Sequence, residues 1–256
     1  MKELLQEIAE AVSAALGSAE RSRWGERVGM GADGTPTEYI DRIAEEAVFE
    51  VLEGNGNPLN VLSEEHEYVD NGAEQTLVLD PIDGTFNAIH GIPFFGTSLA
   101  VGREKTSDVQ YALVKDLAAG TVFYAEKGKG AFADGRRMRC RKLPDESLFS
   151  VYIGRLAHDD AYRIAKLGKK SRNFGAASLE MCLVAQGSLD LYYVRTKPAP
   201  RLRVADIAAG ALILKEAGGA VLNPDGSPLD MPFDIKKRTD LLAVGDIRVL
   251  EVIRRR

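Results

Sequence analysis

Two aspartates, Asp80 and Asp83, stand three positions apart in TLVLDPIDGTFNAIHGIPFFGTSLAV, behind an apolar run and with Pro81 between them. A carboxylate pair delivered to one spot can be a turn, a nucleophile with an assisting acid, or part of a cage for a hard cation. Taken as a turn, Asp83-Gly84 after a strand is ordinary, because Asp and Gly both tolerate the required backbone. Two features ask for more. Pro81 confines Asp80 to extended backbone and fixes its own φ, so the carboxylate has a defined direction. Gly84-Thr85 then opens a segment whose backbone N–H groups can face an anion.

A nucleophilic aspartate would follow the D-x-D-G-T pattern of haloacid-dehalogenase-type phosphatases, but the spacing here is D-x-x-D-G-T. On an extended chain positions i and i+2 share a side while i and i+3 do not, so a turn must bring these two acids together. A magnesium cage makes better use of the rest of the chain. Mg²⁺ takes hard oxygen ligands in octahedral geometry and keeps several waters. Further acids stand where they can contribute: Glu64 and Glu65 in LSEEHEY, Asp206 in RVADIAAG, and Asp41 in TPTEYID. Each acid near a helix start is unremarkable singly, since it offsets the helix dipole. Their joint arrangement carries the weight. His66 and His90 lie close to these motifs, but a hard-oxygen site has little use for imidazole.

The elements that must position these acids can be read from hydrophobic period. Leu4, Leu5, Ile8, Val12, Ala15 and Leu16 form a helical stripe ended by Gly17. Thr37 is the expected N-cap of a second helix running to about Leu52, with Ile40, Ile43, Ala44, Ala47, Val48 and Leu52 buried. LNVLSEE and TLVLD then predict two strands that each end in acid. TSLAVGRE, VQYALVKDL and GTVFYAEKG predict further strands, with a hairpin at Asp134-Gly135. Helix and strand alternate after SLFSVYIG, ending in the helix VADIAAGALILKEAGG and a hairpin over AVLNPDGSPL. The loop WGERVGMGADG, with Trp24, reads as either a flap over the site or a plain connector. Phe94 and Phe95 read as core, and Cys182 as a small buried hydrophobe. This pattern predicts layered α/β architecture with a division near residue 148.

Bulk properties set limits. The 256 residues carry 45% hydrophobic and 28% charged side chains, a formal net charge of -5 and a pI near 5.4. That balance argues against a broad nucleic-acid surface, and the basic tail IRVLEVIRRR reads as a solvated helix end. Cys140 and Cys182 form no C-x-x-C pair, so zinc or dithiol chemistry has no support. No apolar stretch approaches the length of a membrane span, and the N-terminus does not look like a signal peptide. A cytoplasmic protein is expected. Scarce Asn and Gln hint at a warm-living source.

SEE, DPIDGT, RNFGAASLEMCLVAQGSLDLYY and ADIAAGALILKEAGG occur in this order, and together they resemble the inositol monophosphatase family of Mg²⁺-dependent phosphatases. The likeness runs from TPTEYID to EAGG. It implies a five-layered α-β-α-β-α sandwich, with an N-terminal lobe over 1–148 carrying most metal ligands and a C-terminal lobe over 149–256 carrying the last. Carried onto matching positions, the metal ligands are Glu64, Asp80, the Ile82 carbonyl, Asp83 and Asp206, holding two or three Mg²⁺ ions with the substrate phosphate. Asp41 and Thr85 fall beside them as catalytic residues with Glu64, and Glu65 is similar to a neighbouring, supporting acid. Asp83, Gly84, Thr85, Gly175 and Ala176 are the implied substrate contacts.

Ala205 stands where many members have Trp, and Ala199 where they have an acid that contacts inositol hydroxyls. These departures resemble the archaeal branch, which hydrolyses both inositol-1-phosphate and fructose-1,6-bisphosphate. A second phosphate would meet a cation among Arg172, Arg195, Lys197, Arg201 and Arg203. The implied activity is hydrolysis of a sugar or polyol phosphate monoester by metal-activated water, in a homodimer. The alternatives are a nucleotide 3′-phosphatase acting on phosphoadenosine compounds and a non-catalytic phosphate-binding regulator.

Overall fold

A computed structural model describes residues 1–31, 34–64 and 66–254. The chain opens with helix α1 (Lys2–Ser18), a short ribbon of β1 (Arg27–Met30) and β2 (Pro36–Glu38), and helix α2 (Tyr39–Gly54). Strands β3 (Asn60–Ser63), β4 (Glu67–Val69) and β5 (Thr76–Asp83) precede the single turn of helix α3 (Thr85–Ile89). A meander follows through β6 (Gly96–Gly102), β7 (Tyr111–Asp116), β8 (Val122–Glu126), β9 (Gly130–Ala133) and β10 (Arg136–Arg137). The second half contains β11 (Leu148–Val151), α4 (Asp160–Leu167), β12 (Lys170–Arg172), α5 (Ala177–Ala185) and β13 (Leu191–Val194). Helix α6 (Val204–Glu216), strands β14 (Ala220–Leu222) and β15 (Leu241–Val244), and helix α7 (Val249–Arg254) complete it.

These elements stack in five layers. An eight-stranded sheet, ordered β10-β9-β8-β7-β6-β5-β3-β4, is antiparallel except where β3 runs beside β5. A five-stranded sheet is ordered β12-β11-β13-β15-β14. Helices α1 and α2 cover the outer face of the large sheet, α5 and α6 fill the space between the sheets, and α4 and α7 cover the far side. Three apolar cores fill the four spaces between these layers, one of them lying on both sides of α5 and α6. Because both faces of the large sheet are covered, β5 and β6 are buried along their whole length. That explains why their central stretches, Leu77–Leu79 and Leu99–Val101, are apolar on both faces without polar alternation. Each large side chain buried there contributes roughly 1.5–3 kcal/mol.

Several expectations shift. Thr37 lies in β2, and α2 begins after Glu38 without a side-chain cap hydrogen bond, because the ribbon continues up to the helix. AVLNPDGSPL is not a hairpin of two strands. β14 pairs with β15, and Leu222 meets Pro228 only in an isolated bridge. The 24–34 segment contributes β1, and Trp24 is buried edge-on against Phe95 with its ring 6.2 Å away. Ala32, Asp33 and Glu65 lie outside the described residues. No helix among the described residues is long and apolar enough to cross a membrane.

Candidate metal centre and active site

Asp80 and Asp83 converge through a bulge in β5. Asp80 pairs with Ser98 and Asp83 with Gly96, so three steps along β5 oppose two along β6. The extra residue reverses the alternation of faces, and position 83 takes the side that a regular strand would give to 82. The expected turn is therefore a bulge inside the strand. Its geometry is held locally: the Ile82 N–H donates to Asp80 Oδ1 at 3.0 Å, and Thr97 Oγ1 donates to the Pro81 carbonyl at 2.9 Å. Gly84 then turns the chain into α3 at φ 91°. A Cβ there would lie 3.1 Å from Ala176 Cβ and 3.2 Å from the Phe94 carbonyl oxygen, so both the backbone angle and the space call for glycine.

The other three acids arrive from three further elements. β3 runs parallel to β5 with Asn60 opposite Thr76, and continuing that register brings Glu64, just past the strand, beside Asp80. Asp41 sits in the first turn of α2, where its Oδ1 accepts a hydrogen bond from Thr85 Oγ1 at 2.9 Å. The same hydroxyl lies 2.9 Å from the Ile82 carbonyl; with one proton, it donates to one of the two at a time. Asp206 is the third residue of α6, and its Oδ2 accepts the Arg203 N–H at 2.6 Å, capping its own helix. Ser98 Oγ donates to the Ala205 carbonyl at 3.2 Å, tying the start of α6 to the β6 residue paired with Asp80.

Asp83 is gripped by the N-terminus of α5. Its Oδ1 accepts the Ala177 N–H at 3.1 Å, and its Oδ2 accepts the Ser178 N–H at 2.7 Å and Ser178 Oγ at 2.5 Å. Glu180, buried one turn on, accepts the Gly175 N–H at 2.8 Å and the Ser150 hydroxyl, and burial raises its carboxyl to about 7. It pins the turn that leads into α5. Gly96 lets the two elements meet: a Cβ there would lie 2.6 Å from the Lys115 carbonyl oxygen and 3.2 Å from Leu179 Cγ. Gly96→Ala is expected to cost roughly 1–3 kcal/mol through this overpacking. A melting temperature within about 1 °C of the parent, less than the roughly 2–4 °C per kcal/mol expected for a chain of this size, would refute the tight approach.

The resulting cavity has a volume of about 160 Å³ and is bordered by Asp41, Glu64, Asp80, Asp83 and Asp206 together with Gly84 and Thr85. One oxygen from each of Glu64, Asp80 and Asp206 lies within 4.8 Å of the others. Burial raises Asp80 well above the usual carboxylate range, and Glu64, Asp83, Asp206 and Asp41 push it further. Burial and then Asp206 raise Asp83 to about 7. Asp206 is raised by burial too, against the opposing effect of Arg203. Such a cluster of hard oxygens, costly as bare charge, is what a divalent cation would neutralise.

Cations from the C-terminal half are placed unevenly. Arg203 borders the cavity, and its guanidinium donates to Glu64 Oε1 at 2.8 Å. Arg172, Arg195 and Arg201 do not line this cavity. Arg172 is exposed on β12 with its guanidinium on the Ser171 carbonyl, Arg195 pairs with Asp160 at 2.5 Å, and Arg201 is exposed. Lys197 pairs with Asp159. Gly175 has spent its N–H on Glu180, while Ala176 is buried against Gly84. His66 holds Glu45 at 2.9 Å and His90 lies against the Phe86 carbonyl, and neither borders the cavity. Little in the sequence marks Ser178 and Glu180 as supports. The only signal was their placement in the first turn of a helix following Gly175.

With this layered α/β fold and acidic cavity, the family match and relatives that follow make the chain a phosphoric monoester hydrolase. The model of the inositol monophosphatase family matches residues 1–247, and the chain belongs to that family. It is 35% identical over 266 residues to the fructose-1,6-bisphosphatase/inositol-1-monophosphatase of Methanothermobacter thermautotrophicus, covering 98% of this chain and 92% of that one. It is 34% identical over 246 residues to a bifunctional NADP phosphatase/NAD kinase of Methanococcus maripaludis, covering 87% of this chain and 43% of that longer protein. The crystal structure of an inositol monophosphatase-fructose 1,6 bisphosphatase superposes with a TM-score of 0.86 at 30% identity, covering 98% of this chain and 97% of that one.

Proposed function

We propose that the protein is a Mg²⁺-dependent phosphatase of sugar and polyol phosphates, acting on inositol-1-phosphate and fructose-1,6-bisphosphate. The observation that carries this reading is the meeting of Glu64, Asp80 and Asp206 within 4.8 Å, beside the Asp41–Thr85 hydrogen bond. Glu64, Asp80, the Ile82 carbonyl, Asp83 and Asp206 would hold the cations. All are hard oxygen donors, the donor set that Mg²⁺ prefers. When bound, the cations supply charge stabilisation and a more acidic water for attack on phosphorus.

The protein's own groups do the rest. Thr85 Oγ, when it donates to Asp41, presents its lone pairs to a water and can accept that water's proton as its own passes to Asp41. Water oxygen bonds to phosphorus, the ester P–O bond breaks, and the leaving alkoxide takes a proton from solvent, to which Asp41 returns the one it received. Gly84 and Thr85 would orient the phosphate through backbone N–H groups, which add no counter-charge. The α5 grip on Asp83 keeps its carboxylate from rotating. Arg203 is the cation placed to meet a substrate anion, ahead of Arg172, Arg195 or Arg201. A homodimeric, cytoplasmic enzyme follows from the family resemblance.

The NADP phosphatase relative favours a second reading, a phosphatase of nucleotide ribose phosphates. Inorganic phosphate release separates the two, using inositol-1-phosphate, fructose-1,6-bisphosphate, phosphoadenosine phosphate and NADP with and without Mg²⁺. We expect kcat/KM for the first pair to exceed that for the nucleotides by about tenfold or more, the discrimination expected from differing pocket contacts. The reverse order would establish the nucleotide reading, and no Mg²⁺-dependent release from any of them would eliminate both.

A further inference from the structure

One residue holds two of the three clustered acids. Arg203 immediately precedes α6, where its backbone N–H donates to Asp206 Oδ2 at 2.6 Å. Its guanidinium crosses the cavity and donates to Glu64 Oε1 at 2.8 Å. Both side chains of that ion pair are sheltered, 18% exposed for Arg203 and 19% for Glu64, so solvent screens the pair only partly. Guanidinium stays protonated at any working pH, and a fixed positive charge among would-be ligands opposes a second cation.

We propose that Arg203 is a built-in competitor for the divalent cation. Its guanidinium balances the acid cluster when no cation is bound, and it must give up Glu64 Oε1 before a cation can use that oxygen. The proposal rests on reading Glu64, Asp80 and Asp206 as metal ligands. The Arg203 guanidinium offsets part of the repulsion among these acids when no metal is bound. It also links the cation to substrate. A phosphate that draws the guanidinium off Glu64 strengthens cation binding, and by reciprocity the cation strengthens phosphate binding.

The test is equilibrium binding of Mg²⁺ by calorimetry, and of Mn²⁺ by electron paramagnetic resonance, without substrate. Wild type is compared with Arg203→Met, Arg203→Gln and Arg203→Lys, and each protein is also melted with chelator and with Mg²⁺. For the Met and Gln variants we expect cation binding about tenfold tighter, the scale of a lost charge-assisted bond. They should also melt lower in chelator and gain more from Mg²⁺ than wild type does. Arg203→Lys should stay near wild type, since it keeps the charge. Equal or weaker cation binding by both neutral variants would overturn the proposal, and weaker binding would make Arg203 an orienting partner of Glu64 instead. Absence of cation binding by wild type itself would overturn the metal assignment beneath it.

Discussion

Asp83→Asn is expected to lower kcat by roughly 10²–10³-fold or more, the loss that follows when several kcal/mol of transition-state stabilisation disappear. The substitution keeps size and shape but halves the oxygen ligands at this position. It also affects the supports. Both carboxylate oxygens accept backbone N–H groups from α5, at 3.1 Å from Ala177 and 2.7 Å from Ser178. An amide has one acceptor, so one of those N–H groups would face an NH₂ group, costing roughly 1–3 kcal/mol. Relief of a buried charge offsets part of that cost, since burial already raises Asp83 to about 7. The variant should therefore fold with an unchanged circular dichroism spectrum and a modestly changed melting temperature. Retention of near-full turnover with saturating Mg²⁺ would remove Asp83 from the proposed ligand set.

Removing Mg²⁺ should abolish turnover and lower stability in a pH-dependent way. Cation at about 100 times its Kd stabilises by about 2.7 kcal/mol, or roughly 5–10 °C in a chain of this size. The sign of the pH effect follows from the raised carboxyls of Asp80, Asp83 and Asp206. A carboxyl raised by folding binds its proton more tightly in the native state than in the unfolded chain. Between the unfolded value, near 4, and the folded value, about 7 for Asp83, deprotonation therefore weakens the native state as pH rises. In chelator the protein should melt higher at pH 5 than at pH 8, and saturating Mg²⁺ should shrink or reverse that difference. Scanning calorimetry in four buffers, two pH values with and without the cation, decides it. Equal melting temperatures with chelator and Mg²⁺ at pH 8 would refute a metal-holding acid cluster.

Much of this molecule is legible in its sequence. Period-3.6 stripes locate α1 and α2, and the short apolar stretches LVL and LAV locate β5 and β6, because local pattern and burial agree in those elements. Short elements were harder to read. β15 is four residues long and follows a polar stretch, so its pairing with β14 was hidden behind a turn sequence that looked like a hairpin. The ribbon of β1 and β2 likewise carries little apolar alternation.

The sequence by itself determined which acids this protein has and, through Pro81, Gly84 and the helix starts, which local direction several of them take. Tertiary structure alone decided how they meet. A register mismatch between β5 and β6 turned Asp83 onto the face of Asp80, the missing Cβ of Gly96 let α5 reach it, and Arg203 was brought across to Glu64 from 139 positions away. Spacing along a chain fixes direction over a few residues. Convergence over longer separations depends on which layers pack together, and that is settled by burial across the whole fold.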